Sequence, residues 1–98
     1  MIIYMIKFGS VLTSRQAGKE AYAAFLPILN SVNNQEEVLV DFDGVSALAP
    51  SWGDEFLTPL QKKFDNRLTL INTSNPSVAL TISMLEKIDH VKFKVQKR

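Results

Sequence analysis

Ser51, Trp52, Asp54 and Glu55 lie within five residues of one another, the densest grouping of chemically useful side chains in the chain. Ser51 follows Pro50 where a helix should begin, shortly after an apolar strand. A helix N-terminus offers free amides and the positive end of the helix dipole. It would therefore attract an anion or stabilise a phosphoryl group on the serine hydroxyl. The plainer role for Ser51 is to cap that helix, with Asp54 three residues on complementing the dipole. Trp52 is a candidate partner anchor, because tryptophan is enriched at binding hot spots, yet it also falls on the apolar stripe of the same helix. Asp41, Asp43, Asp54 and Glu55 could hold magnesium or act as an acid and base pair. Their spacing fits no defined metal loop, and solvated surface acids are the expectation.

Other chemistry is excluded more firmly. There are no cysteines, which removes disulfides, thiolate zinc sites and cysteine nucleophiles together. His90 is the one histidine and cannot build a multi-histidine metal site; it is expected at the surface. The phosphate-binding patterns GxxxxGK[ST] and GxGxxG are absent, as is the GxSxG nucleophile elbow. The expectation is a protein that is not an enzyme, with no catalytic residue, no metal and no cofactor. Net charge is +1, so a basic face for nucleic acid is not expected. No apolar run approaches the roughly 18 residues of a membrane span. The apolar opening MIIYMIK has neither a basic segment before it nor a cleavage site after it, which points to a cytoplasmic protein.

The elements that must position these residues alternate. With 98 residues the chain fits one domain over 1–98, and 46% apolar content suits a packed core. Ile2 to Lys7 reads as a strand ending at Gly9 and Ser10. Thr13 and Gln16 have capping-box spacing, opening a helix whose apolar stripe is Ala17, Ala21, Ala24, Phe25, Ile28 and Val32. Pro27 predicts a kink or an early end there. Val38 to Phe42 is a strand buried on both faces, followed by a turn at Asp43 and Gly44. Val45 to Leu48 then continues as a loop or short strand. A second helix opens at Pro50 and Ser51, with Trp52, Phe56, Leu60 and Phe64 inward and a kink expected at Pro59. Leu68 to Asn72 is a third strand. Asn75 caps a third helix with Pro76 at its first position and Val78, Ile82 and Leu85 buried. In VKFKVQK, Val91, Phe93 and Val95 alternate with lysines, the pattern of an edge strand blunted by charge. Lys92, Lys94, Lys97 and Arg98 form a basic cluster, read as a solvated edge.

The order β-α-β-α-β-α-β defines an α/β fold with about four strands in a mainly parallel or mixed sheet and three main helices. Ligands of open α/β sheets gather beyond the carboxyl ends of the strands. Three polar segments fall there: GSVLTSR, DFDGVSALAPSWGDE and NTSNPS. Their helix starts offer Thr13, Ser14, Arg15 and Asn75 as candidate anion-binding residues.

VLVDFDGVSALAPSWGDEFL resembles the central strand, loop and helix of STAS domains, the fold of bacterial anti-sigma-factor antagonists. It resembles more closely a bacterial STAS-like family of unknown function. The residues that carry the likeness are Val38, Asp41, Phe42, Gly44, Val45, Ser51, Asp54 and Glu55. LTSRQAGKE, through Leu12, Ser14, Arg15 and Ala17, and INTSNPSV resemble flanking segments of that family. The resemblance implies a bacterial signalling module without catalytic activity. Such a module docks a protein partner, a histidine-kinase-like ATPase or an anti-sigma factor, through Ser51, Trp52, Asp54 and Glu55. Phosphorylation of a serine at the helix start switches binding in such relatives, which makes Ser51 the candidate phosphorylation site. Their Asp-Ser-Ser/Thr-Gly run is here Ala49, Pro50, Ser51, Trp52, so strict alignment sets Pro50 on the phosphorylated serine and Ser51 on its neighbour.

Two further readings stand beside this one. The first is a small-molecule or nucleotide-binding domain that uses helix N-termini as an anion pocket. The other is a structural subunit that adds its edge strand to a larger assembly, against which the lysines of VKFKV speak.

Overall fold

The computed structural model describes residues 1–96. The larger sheet is built from β1 (Ile2–Tyr4), β3 (Val38–Asp41), β5 (Leu68–Ile71) and β6 (Lys94–Val95), in that spatial order and with every pair parallel. A second, two-stranded parallel ladder joins β2 (Val11–Leu12) to β4 (Ala47–Leu48). Three helices complete the fold: α1 (Arg15–Asn30), α2 (Pro50–Phe64) and α3 (Pro76–Asp89). The chain belongs to the α/β class read from its pattern, with the sheet wholly parallel.

The strands advance across the larger sheet in one direction. Right-handed crossovers then place all three helices on the same face. Register agrees with this one-sided burial. Ile3 lies beside Val40 and Val40 beside Leu70, all fully buried, with Val38 and Leu68 forming the next buried row. On the opposite face Ile2 and Tyr4 are exposed. Because the order of these four strands never reverses, they form no switch-point crevice of the kind that holds ligands in doubly wound folds.

Several local expectations are corrected. The opening strand stops at Tyr4, and Met5–Phe8 forms a 3-10 turn that buries Met5 before Gly9 turns the chain into β2. Ser14, not Thr13, caps α1: its Oγ accepts from the Ala17 amide at 2.9 Å, while Gln16 donates to Glu20. The buried stripe of α1 is accordingly Gly18, Phe25 and Leu29, flanked by half-buried Ala21, Tyr22 and Leu26. Ala17, Ala24 and Ile28 face outward. Both helices run through their prolines. Pro27 withholds its amide from the carbonyl of exposed Ala23, and Pro59 from that of part-exposed Glu55. β6 is only two residues long; Phe93 before it is buried, and the Lys94 ammonium donates to the Asn66 carbonyl. Lys97 and Arg98 of the expected basic cluster lie outside the described residues.

The third helix follows its sequence closely. Asn75 Oδ1 accepts from the amides of Ser77 and Val78, Pro76 occupies the first position, and Val78, Ile82 and Leu85 are buried. His90 ends the helix in the left-handed conformation, φ 53°, and is exposed.

Candidate functional site

The start of α2 is fixed from two sides. From the small ladder, the Ala49 amide donates to the Leu12 carbonyl at 2.8 Å. From α3, Ser77 Oγ accepts from the Leu48 amide at 2.9 Å, and the Thr81 hydroxyl donates to the Leu48 carbonyl. Two elements, β2 and α3, therefore grip Leu48 and Ala49 immediately before the helix. This backbone clamping stands in for a side-chain cap, because Ala49 occupies the N-cap position and has none to offer.

Ser51 is thus not the cap of α2. It sits in the first turn, and its Oγ donates to the Thr13 carbonyl at 2.9 Å, tying α2 to the loop that enters α1. A second tie lies alongside it. Arg15 Nη1 reaches Asp54 Oδ2 at 3.0 Å and Glu55 Oε2 at 2.7 Å. These two hydrogen bonds raise the arginine's pKa. A third is steric: Gly18 lies directly against the Trp52 backbone.

Trp52 points inward. It is 2% exposed and stacks on Phe56, with ring centroids 5.0 Å apart, and Phe8 tilts against both rings. Phe25 and Tyr22 meet this cluster edge-on through Phe8 and Phe56. Trp52 therefore belongs to the core between α1 and α2 and presents no indole to a partner.

The acids expected to cluster are divided. Asp41 Oδ1 accepts from the Asp43 amide and from Asn72 Nδ2, holding the turn after β3 against the end of β5. Asp54 looks the other way, toward α3. Asp89 accepts from the buried Thr58 hydroxyl at 3.0 Å. The neighbouring Asp54 carboxyl pushes Asp89 above the usual carboxylate range, and burial adds to the shift. Asp89 in turn holds Asp54 below that range, with Arg15 adding to the effect. Of the two, Asp89 is therefore the one that takes up a proton first as the pH falls. Among the described residues no group of three or more histidine or acidic side chains is placed to hold a metal ion.

The four anion candidates are not assembled into one pocket. Ser14 and Asn75 spend their oxygens on their own helices, and Arg15 is committed to the two acids. Thr13 is exposed and contributes its carbonyl to Ser51.

One surface feature was not anticipated from the sequence. Leu80, Met84 and Ile88 form a line along the outside of α3, 62%, 36% and 61% exposed. Leu80 and Met84 border a shallow groove of about 240 Å³ that also touches Thr13, Ala47, Ala49 and Pro50. The i, i+4, i+8 spacing is visible in the sequence, beside the Val78, Ile82 and Leu85 face that fills the core.

A singly wound parallel sheet, helices on one face and a rigidly clamped helix start at the end of the central strand define a STAS-like domain. The model of a family described as STAS-like domain of unknown function (DUF4325) matches residues 22–78, and the chain belongs to that family. The matched span begins within α1 and runs through β3, α2 and β5 to the first turn of α3; the LTSRQAGKE stretch precedes it. No curated protein and no solved structure matches the chain. Among the described residues no helix is long and apolar enough to cross a membrane.

Proposed function

We propose that this protein is a non-enzymatic, regulatory protein-binding module that docks its partner in the groove between the start of α2 and the outer face of α3. The observation that carries this reading is the line Leu80, Met84 and Ile88, exposed beside Pro50 and Ala49 on a backbone that β2 and α3 hold by hydrogen bonds. An apolar line on a preorganised surface suits a partner that inserts its own apolar side chains, because little ordering entropy remains to be lost on binding. The Asp54–Asp89 pair lies where α2 meets the end of this line and suits a cationic group on the partner. Membership in a STAS-like family agrees with a regulatory, protein-binding role, and the resemblance of the central segment to anti-sigma-factor antagonists suggests an ATPase or anti-sigma factor as the partner.

Relative to the surface expected from sequence, Trp52 drops out, and Ser51 adjoins the groove through its bond to Thr13, which borders it. Ser51 is the regulatory element of the proposal. A phosphoryl group on its oxygen would remove the donor to Thr13 and add nearly two negative charges beside Asp54 and Glu55.

Affinity capture from extracts of the source cells with wild type, Met84→Glu and Ser51→Asp tests both parts. A partner held by wild type and lost with Met84→Glu is the expected result. Ser51→Asp should change the amount captured while the variant stays folded. No stable partner, or one that both variants hold equally well, would overturn the reading.

A further inference from the structure

A second cleft, of about 530 Å³, opens at the opposite flank of α3, where the loop after β5 faces the end of β6. This volume is in the range of pockets that hold small organic ligands, about 300–1,000 Å³. Its floor is apolar, made of Ala79, Ile82 and Val95. Its rim is polar, made of Asn72, Thr73, Ser74 and Gln96.

The rim groups Asn72, Thr73, Ser74 and Gln96 are themselves neutral and supply hydrogen bonds rather than a counter-charge. Helix amides do not compensate. Those of Ser77 and Val78 at the start of α3 are already taken by Asn75 Oδ1, and the Ala79 amide by the Asn75 carbonyl. The fixed charge directly behind the rim is negative, because Asn72 Nδ2 is held by Asp41. An anion would thus meet no free amide at the start of α3 and would face the Asp41 carboxylate behind the rim.

What the rim does offer is mixed hydrogen bonding. Asn72, held in the left-handed conformation at φ 56°, has its Nδ2 engaged by Asp41 and keeps its carbonyl oxygen as an acceptor. Thr73 and Ser74 bring hydroxyls that can donate or accept, and Gln96 brings an amide that does both. A ligand complementary to this set has one apolar ring face for the floor and an edge carrying a donor next to an acceptor.

We propose that this cleft binds an uncharged heteroaromatic ring with an amide- or lactam-type edge. The site is independent of the docking groove and of the partner.

Titration of the full chain with 2-quinolinone, a neutral bicyclic lactam, tests this by amide NMR, with quinoline-2-carboxylate as the charged counterpart. Saturable shifts confined to residues 72–79 and 95–96 with the lactam, and none with the carboxylate, are expected. Ala79→Trp fills the floor from an exposed position and should weaken the lactam at least about tenfold, close to the loss of one decade in Kd that 1.4 kcal/mol represents. Ser74→Trp, on the exposed rim, makes the same test without altering a helix. The absence of saturable shifts with the lactam would overturn the proposal. So would equal binding of the carboxylate, or unchanged affinity in a folded tryptophan variant.

Discussion

Gly18 of α1 lies so close to Trp52 of α2 that a methyl group at Gly18 would come within 2.6 Å of the Trp52 carbonyl oxygen. The atom in the way is backbone, in a helix clamped at its start, so it cannot swing aside as a side-chain end could. Alanine normally improves a helix interior by roughly 1 kcal/mol over glycine. Here that gain is outweighed, and Gly18→Ala should lower stability by about 1–3 kcal/mol, the range for overpacked contacts. At Gly53 the same methyl would meet only the ends of Leu85 and Thr81 side chains, at 3.1 and 3.2 Å, so Gly53→Ala should cost less. Urea denaturation of both variants measures the difference. A Gly18→Ala protein as stable as wild type would show that the helices can part without cost.

Trp52 distinguishes a core residue from a docking residue. With its indole buried among Phe8 and Phe56, Trp52→Ala should cost about 3–5 kcal/mol, a large share of the roughly 5–15 kcal/mol typical of a whole domain. Trp52→Phe keeps most of the packing and should leave partner capture intact. If Trp52→Ala unfolds at nearly the wild-type urea concentration while Trp52→Phe loses the partner, the indole is a binding group after all.

What could be read from the chain divides by sequence distance. The α3 start was legible because Asn75, Pro76, Ser77 and Val78 settle it among themselves. The four main strands and three helices were legible because each carries its own period of apolar residues. Thr13 and Ser14 are both competent caps, and the choice between them rests on where β2 ends, which its pairing with β4 determines. The stripe of α1 slipped by one position for the same reason: Gly18 carries no apolar signal, yet it marks the face that meets α2. At the site, Ser51 reaches Thr13 across 38 residues and Thr58 reaches Asp89 across 31. No local pattern announces such contacts. The position of Ser51 at the start of a helix was visible, but its hydrogen-bond partner was not.

The Asp54–Asp89 couple makes stability depend on pH in a particular direction. Asp89 is raised in the folded protein, so the stability it contributes is present while it is protonated and is lost as pH rises through its folded value. Asp54 is lowered, so its contribution is present above its unfolded value and is lost as pH falls through its folded one. Between these two limits the pair contributes most to stability. Toward neutral pH both carboxyls are charged, and among the described residues Arg15 and Lys62 are the cations that offset the repulsion. Melting temperature should therefore rise as the pH is lowered from neutral into the mildly acidic range, then fall as Asp54 takes up its own proton. Asp89→Asn keeps an acceptor for Thr58 and supplies a permanent donor toward Asp54. It should remove most of the neutral-side decline and melt above wild type at neutral pH, with little difference at the acidic maximum. Thermal melts of the two proteins across that range decide the matter. An Asp89→Asn protein that melts below wild type at neutral pH would mean that the second charge is held by something other than this couple, and a cationic group on the partner would then have no unpaired carboxylate to meet.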